Sequence, residues 1–260
     1  DFERDGFIVV RGMYDAGEIR LLSGWIDELV ARPLEKGKQM VYFEENLLKK
    51  GKKVLSRIEK SKPYIISVGA FRPRKGYKFS IRSFMKVKKQ FPDLKYVIVG
   101  RKYGDHFYKK IGKLILELHL ENNILVLEDV ETREDLAALY RHAELFCLLP
   151  RSLSNDFEAF GLVFLEAAAC GLPVVGTIEG GVPDAVQDGI NGILVNARDI
   201  RPFYNMDEID LFTKAIITIL SDPARKERMK AASLAFAKAS DWKEKMNSYV
   251  NLYQELLHKA

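Results

Sequence analysis

The chain predicts an α/β fold, a doubly wound parallel sheet with helices on both faces, and three observations carry that prediction. Short apolar runs recur and end in glycine or a polar turn: YIISVG (64–69), KYVIVG (95–100), NILVLEDV (123–130), AELFCLLP (143–150) and PVVGT (173–177). Stretches with helical periodicity separate them. The strand runs are nearly continuous in apolar residues rather than alternating, as a sheet covered on both faces requires.

Taken in order, Phe7–Val10 predicts one short strand, followed by a helix with Ile19, Leu22, Ile26 and Leu29 on one face. Residues 1–48 are expected to form a small appendage, too short to bury much of a core alone. KKGKKVLSRIEKSK (49–62) is charged and poor in large apolar groups, and predicts a basic linker. The main domain is expected over 63–260. After the first strand, Tyr77, Ile81, Phe84 and Phe91 are spaced for one helix face. A second helix over 106–119 carries Phe107, Ile111, Leu114, Ile115 and Leu118. Thr132 and Asp135 stand where a capping box would open a third. GLVFLEAAAC follows the fourth strand, and GILV (192–195) offers a sixth strand. Three helical segments close the chain, at about 207–220, after Asp222-Pro223, and after Ser240-Asp241.

Composition narrows the function classes. With 47% apolar and 30% charged residues over 260 positions, the chain reads as a soluble globular protein. No apolar run reaches the roughly 18 residues that span a bilayer, and no signal peptide opens the chain. Asp1 follows no initiator methionine, which fits a fragment or trimmed chain. A cytoplasmic location is expected, compatible with peripheral contact at the inner face of a membrane. Cys147 and Cys170 both lie in apolar runs and read as small core residues in a reducing compartment.

The net charge of +5 conceals an asymmetry, because residues 49–89 hold fifteen Lys or Arg and one acid, Glu59, and the remainder is net −9. A basic block of this kind attracts anions. Nucleic acid is not the expected partner, since no aromatic platform is interleaved with the block.

Open α/β sheets bind ligands beyond the carboxyl ends of their strands, and three loops fall there. GAFRPRKG follows the first strand, where Gly69 permits close approach and Arg72, Arg74 and Lys75 supply cations. RSLSNDFEAFG follows the fourth and leads into the helix beginning near Gly161. GTIEGGVPDAV follows the fifth, with Gly180-Gly181 before a helix start. Two helix N-termini and a cation pair predict a cradle for a diphosphate. Glu166 lies about five residues into its helix, or about 7.5 Å along the axis. A carboxylate among Leu165, Ala167 and Ala168 needs a partner, and the vicinal diol of a ligand would provide one. Glu158, at the mouth, is placed for a second sugar. Tyr103 and Val130, after the second and third strands, are candidates for a base pocket or for structural loop roles.

These motifs resemble the carboxyl-terminal, donor-binding domain of glycosyltransferase family 4, retaining enzymes of the GT-B type with Rossmann-like lobes. The resemblance covers residues 63 to about 260. The family's two glutamates separated by seven residues stand here as Glu158-AFGLVFL-Glu166. EAAACGLPVV (166–175), GGVPD (180–184, with Asp184 in place of Glu) and DGINGILV (188–195) follow in order. The resemblance implies that Arg72 and Lys75 hold the donor diphosphate. It implies that Phe160, Gly161 and Leu162 present backbone groups to sugar and phosphate, with Glu158 at the transferred sugar and Glu166 at the ribose. Ala70 stands where many members carry Arg, which places more weight on Lys75. No metal cofactor is implied. The implied partners are a nucleoside-diphosphate sugar, a glycan or lipid-linked acceptor, and an amino-terminal acceptor-binding lobe on another segment or chain. The final helix, DWKEKMNSYVNLYQELL, is similar to the one that crosses onto that lobe.

Residues 1–46 weakly resemble the start of phytanoyl-CoA dioxygenase-like proteins. Residues 1–60 contain no histidine with which to hold that family's iron, and the His-x-acid at His119 to Glu121 reads as solvated. Two functions remain open: a retaining transferase module, and a non-catalytic nucleotide-sugar-binding or scaffold module of a larger polysaccharide-assembly protein. A dehydrogenase is disfavoured, because neither GAFRPRKG nor GRKYGD supplies the G-x-G-x-x-G fingerprint.

Overall fold

A computed structural model of the chain describes residues 52–130, 132–153, 156–196 and 206–241, together with 246, 249 and 251–255. The chain divides into two compact units. One runs from residue 42 to 238 and contains the sheet; the other takes residues 1–41 and 239–260, of which 251–255 are helical. The strand and helix expected within residues 1–48 lie outside the described residues, as does the dioxygenase-like resemblance.

Six parallel strands form one sheet: β1 (Tyr64–Val68), β2 (Lys95–Val99), β3 (Ile124–Leu127), β4 (Phe146–Cys147), β5 (Val174–Thr177) and β6 (Gly192–Val195). Their order is β3-β2-β1-β4-β5-β6, so the chain winds outward from β1 in one direction and then returns to start again at β4. The doubly wound fold read from the sequence is the fold observed. Its reversal point lies between β1 and β4, which meet through Ile66 and Phe146. In open α/β sheets the connections on either side of such a point depart in opposite directions, and that is where a ligand crevice is expected.

The helices of the sheet unit are α1 (Lys52–Ile58), α2 (Tyr77–Gln90), α3 (Asp105–Glu117), α4 (Arg133–Arg141), α5 (Leu162–Ala169), α6 (Val182–Ala185), α7 (Met206–Leu220) and α8 (Pro223–Ala239). Thr132 caps α4 by accepting a hydrogen bond from the Asp135 N–H at 3.0 Å, as its sequence position predicts. Residues 49–62 are not simply a connecting segment, since α1 occupies 52–58. Its Val54 and Ile58, four residues apart, enter the main core, while Arg57 is exposed. β4 is shorter than the apolar run 143–150. Only Phe146 and Cys147 pair in the ladder, although Leu145, Leu148 and Leu149 are equally buried.

The core carries tyrosine hydroxyls without leaving them unpaired. Tyr64 donates to the Leu139 carbonyl at 2.6 Å. Tyr96 donates to Ser80 at 2.9 Å and pairs with Ser67 at 2.5 Å. Burial without such partners would cost each hydroxyl on the order of 1–3 kcal/mol. No described helix is long and apolar enough to cross a membrane.

Candidate functional site

The β1–β4 reversal point brings together the loops after β1 and β4. Pro73–Lys75 forms a single 3-10 turn after β1, opened by Arg72 and closed by Gly76. Proline fixes its first residue and lacks the N–H that would go unused there. The Lys75 stem runs over Gly69, with its Cε 3.2 Å from the place a Cβ on Gly69 would occupy. A side chain at residue 69 would therefore press on the lysine, which is why glycine suits the end of β1.

The loop after β4 is tied to this turn by main chain and side chain together. The Arg151 N–H donates to the Arg74 carbonyl at 2.7 Å, and Leu153 and Asp156 exchange two backbone hydrogen bonds. On its far side the loop is held by the segment after β5. The Gly181 N–H donates to the Glu158 carbonyl at 3.0 Å. Gly180 has φ +55°, and a Cβ there would lie 2.0 Å from the Glu158 carbonyl oxygen. Only glycine permits both that conformation and that approach.

Glu158 consequently faces inward. It is 7% exposed, and Lys75, 6% exposed, donates to its Oε2 at 2.6 Å. Arg74 donates to the same oxygen, and its Nε forms an ion pair with Asp156 at 2.9 Å. Two cations and two carboxylates thus make a compact, formally neutral cluster. Burial pulls the Lys75 ammonium below its ordinary value, and the hydrogen bond from Lys75 to Glu158 opposes that pull.

Glu166 is the fifth residue of α5 and is half-buried. Tyr140 on α4 donates to its Oε2 at 3.2 Å. Burial raises the Glu166 carboxyl above the usual range, against the Tyr140 hydrogen bond and the charges of Arg133 and Lys75. Lys75 therefore acts on both acids, as the bonded partner of one and a through-space neighbour of the other.

The remaining expected site residues are distributed around this centre. Gly161 opens α5 with φ +79°, flanked by Phe160 and Leu162, both exposed. Phe157, 59% exposed, and Leu153 extend the apolar rim along the same loop. Val130 is half-buried against the core, three residues past β3. Arg72 stacks over the Tyr103 ring, with Cζ 3.5 Å from its centroid. Of the two arginines in the turn, Arg74 is the one in the ion cluster. Tyr140 was not singled out from the sequence, and its contact with Glu166 joins two helices in a way no local pattern announces.

The two thiols are chemically quiet. Burial pushes Cys147 up to about 12 and Cys170 up to about 11, so neither is a ready nucleophile near neutral pH. Among the described residues, no group of three or more His, Cys, Asp or Glu is arranged to hold a metal ion.

Comparison with known proteins identifies the family. The family model described as glycosyl transferases group 1 matches residues 50–235. The chain is 29% identical over 178 residues to the GDP-mannose-dependent alpha-(1-6)-phosphatidylinositol monomannoside mannosyltransferase of Mycolicibacterium smegmatis, covering 68% of this chain and 43% of that protein. It is 32% identical over 161 residues to the N-acetyl-alpha-D-glucosaminyl L-malate synthase of Bacillus anthracis, covering 62% and 39%. The chain spans less than half the length of these curated relatives. Among solved structures, Anabaena Alr3699/HepE in complex with UDP and glucose aligns with a TM-score of 0.64 at 22% identity, covering 82% of this chain and 55% of that one. The pneumococcal O-GlcNAc transferase GtfA, in complex with UDP and GlcNAc, aligns with a TM-score of 0.59 at 23% identity, covering 76% and 37%.

Proposed function

The chain belongs to the glycosyl transferases group 1 family, and from that premise we propose that it binds a nucleoside-diphosphate sugar at the β1–β4 crevice and supports retaining transfer of the sugar to a glycan or lipid-linked acceptor. The observation that carries this reading is the buried cluster of Arg74, Lys75 and Glu158 at the sheet's reversal point. Cations held in a low-dielectric pocket by an internal carboxylate are oriented before any ligand arrives. Near a diphosphate they would stabilise the charge that builds as the bond from the anomeric carbon to the phosphate oxygen breaks.

In the transfer, the acceptor hydroxyl oxygen bonds to the anomeric carbon, its proton passes to the departing diphosphate oxygen, and the carbon–phosphate oxygen bond breaks. Glu158 sits beside the transferred sugar in this reading, and Glu166 accepts from ribose hydroxyls. The N–H groups opening α5 and the backbone around Phe160, Gly161 and Leu162 face phosphate and sugar, with Gly69 leaving room for Lys75. Val130 borders the base. Arg72, stacked on Tyr103, closes the outer side of the diphosphate site. None of these roles calls on a metal ion. The exposed apolar rim, Leu153, Phe157, Phe160 and Leu162, suits an acceptor-binding lobe supplied by another segment or chain.

A second reading is a non-catalytic nucleotide-sugar-binding or scaffold module of a larger polysaccharide-assembly protein. Calorimetric titration with a panel of nucleotide sugars, followed by a transfer assay, tests both. Binding that Lys75→Ala and Glu166→Ala each weaken supports the site. Binding indifferent to both substitutions removes it, and binding without turnover selects the second reading.

A further inference from the structure

Glu208, near the start of α7, is 3% exposed and lies outside the crevice. One of its oxygens accepts a hydrogen bond from Arg151, whose side chain is also largely buried. Its other oxygen, Oε2, is buried and has no hydrogen-bond partner among the described residues. A half-satisfied buried acid is poor material for stability, and a well-packed apolar side chain would serve as well or better. Its presence therefore calls for a specific task, and Arg151 indicates which.

Arg151 has three engagements. Its guanidinium binds Glu208 and lies over the Phe79 ring of α2, with Cζ 4.3 Å from the centroid. Its backbone N–H donates to the Arg74 carbonyl at 2.7 Å. The next N–H, on Ser152, donates to Glu179 Oε2 at 3.2 Å in the segment after β5. Burial raises the Glu208 carboxyl, Arg151 opposes that rise, and Glu179 adds to it. A guanidinium anchored in α7 thus sets the position of the main chain on which the Arg74 turn hangs.

We infer that Glu208 is a positioning residue which, through Arg151, fixes the Arg74–Lys75 turn against the Glu158 loop. Glu208 touches no ligand in this scheme. A comparison within the same interface is available, since Lys86 of α2 pairs with Asp210 of α7 without contacting Arg151.

The test compares Glu208→Gln, Arg151→Lys and Lys86→Ala in the full chain. The first readout is hydrogen exchange of the ligand-free protein, followed in peptides covering residues 69–76 and 156–161. Glu208→Gln and Arg151→Lys should each speed exchange in both peptides about tenfold, a local loosening of about 1.4 kcal/mol. The double variant should be no faster than either single one, and Lys86→Ala should leave both peptides unchanged. Unchanged exchange in Glu208→Gln, or equal acceleration by Lys86→Ala, overturns the inference. If Glu208→Gln does not fold, Arg151→Lys and the Lys86→Ala comparison decide.

The second readout rests on the donor-binding reading: UDP and GDP affinity by calorimetry should fall about tenfold in Glu208→Gln and stay at the parent value in Lys86→Ala. A parent chain that binds neither nucleotide defeats the donor reading, and the exchange result then judges Glu208 by itself. A parent that binds while Glu208→Gln binds equally well defeats the Glu208 inference alone.

Discussion

The loop after β4 and the helix it leads into each carry one acid of the pair, and they hold it in opposite ways. Glu158, on the loop, is buried and carries two cations on a single oxygen. Glu166, on the helix, is half-buried and has a neutral phenol as its hydrogen-bond partner. The difference follows from backbone geometry. An irregular loop pinned by Gly180 and Gly181 can turn a carboxylate onto the neighbouring turn, whereas an α5 side chain must point where helical periodicity sends it. One acid is thus compensated by charges within the fold, and the other is bonded to a neutral group, which in the proposed reading a ligand diol completes.

The largest expected effect breaks the compensated side. Glu158→Ala leaves Arg74 and Lys75 largely buried with Asp156 as the remaining acid of the cluster. Unfolding free energy should fall by about 3–5 kcal/mol, as when one member of a buried pair is removed. Transfer activity should fall by about a thousandfold. Denaturant titration and kcat/KM measure the two losses. A variant with parental stability would show that the cluster is solvated.

Next in size is the contrast between cations. Lys75→Ala should weaken binding of a nucleoside diphosphate by about 1.5–3 kcal/mol, the range for hydrogen bonds to charged groups. Arg72→Ala should cost under about 1 kcal/mol, as for an exposed cation–aromatic contact. Calorimetry with UDP and GDP measures both. Equal losses would mean that Arg72 leaves Tyr103 to join the diphosphate.

Glu166→Gln sharpens the other side, because stability and binding should move in opposite directions. Burial raises this carboxyl, so the folded protein holds more protons than the unfolded one between the ordinary carboxylate range and the raised value. The stability from this source is complete below the ordinary range and is lost as pH rises through the raised value. Glutamine carries no such loss. The melting temperature should rise over the parent at pH 8 and change little at pH 4, while donor affinity falls about tenfold. A drop in melting temperature at pH 8 would show that Tyr140 already satisfies the ionised acid. The smallest effect expected is none: transfer assayed with and without EDTA should proceed at the same rate.

The contrast also explains what could be read without coordinates. The strands were legible because fully covered parallel strands are written as continuous apolar runs, and the spacing of the glutamate pair marked both acids as candidates. α1 was not, since Val54, Leu55 and Ile58 stand among basic and polar residues, and burial against a distant core decides the matter. The choice between Arg72 and Arg74 was equally out of reach. Both follow Gly69 closely, and only the 3-10 turn at Pro73–Lys75 determines which one faces Glu158. The Tyr140–Glu166 contact spans 26 positions and depends on how α4 and α5 pack, which residue types alone do not encode.

The buried tyrosines have an optical consequence. Tyr64, Tyr77, Tyr96 and Tyr140 are all fully enclosed around the sheet, while the only two tryptophans, Trp25 and Trp242, fall outside the described residues. Near-ultraviolet circular dichroism of a variant with both tryptophans replaced by phenylalanine should therefore follow the melting of the sheet through immobilised phenols in asymmetric surroundings. Indole emission of the parent, excited at about 295 nm, should follow other parts of the chain. Transitions that fail to coincide would separate the unfolding of the chain's two compact units.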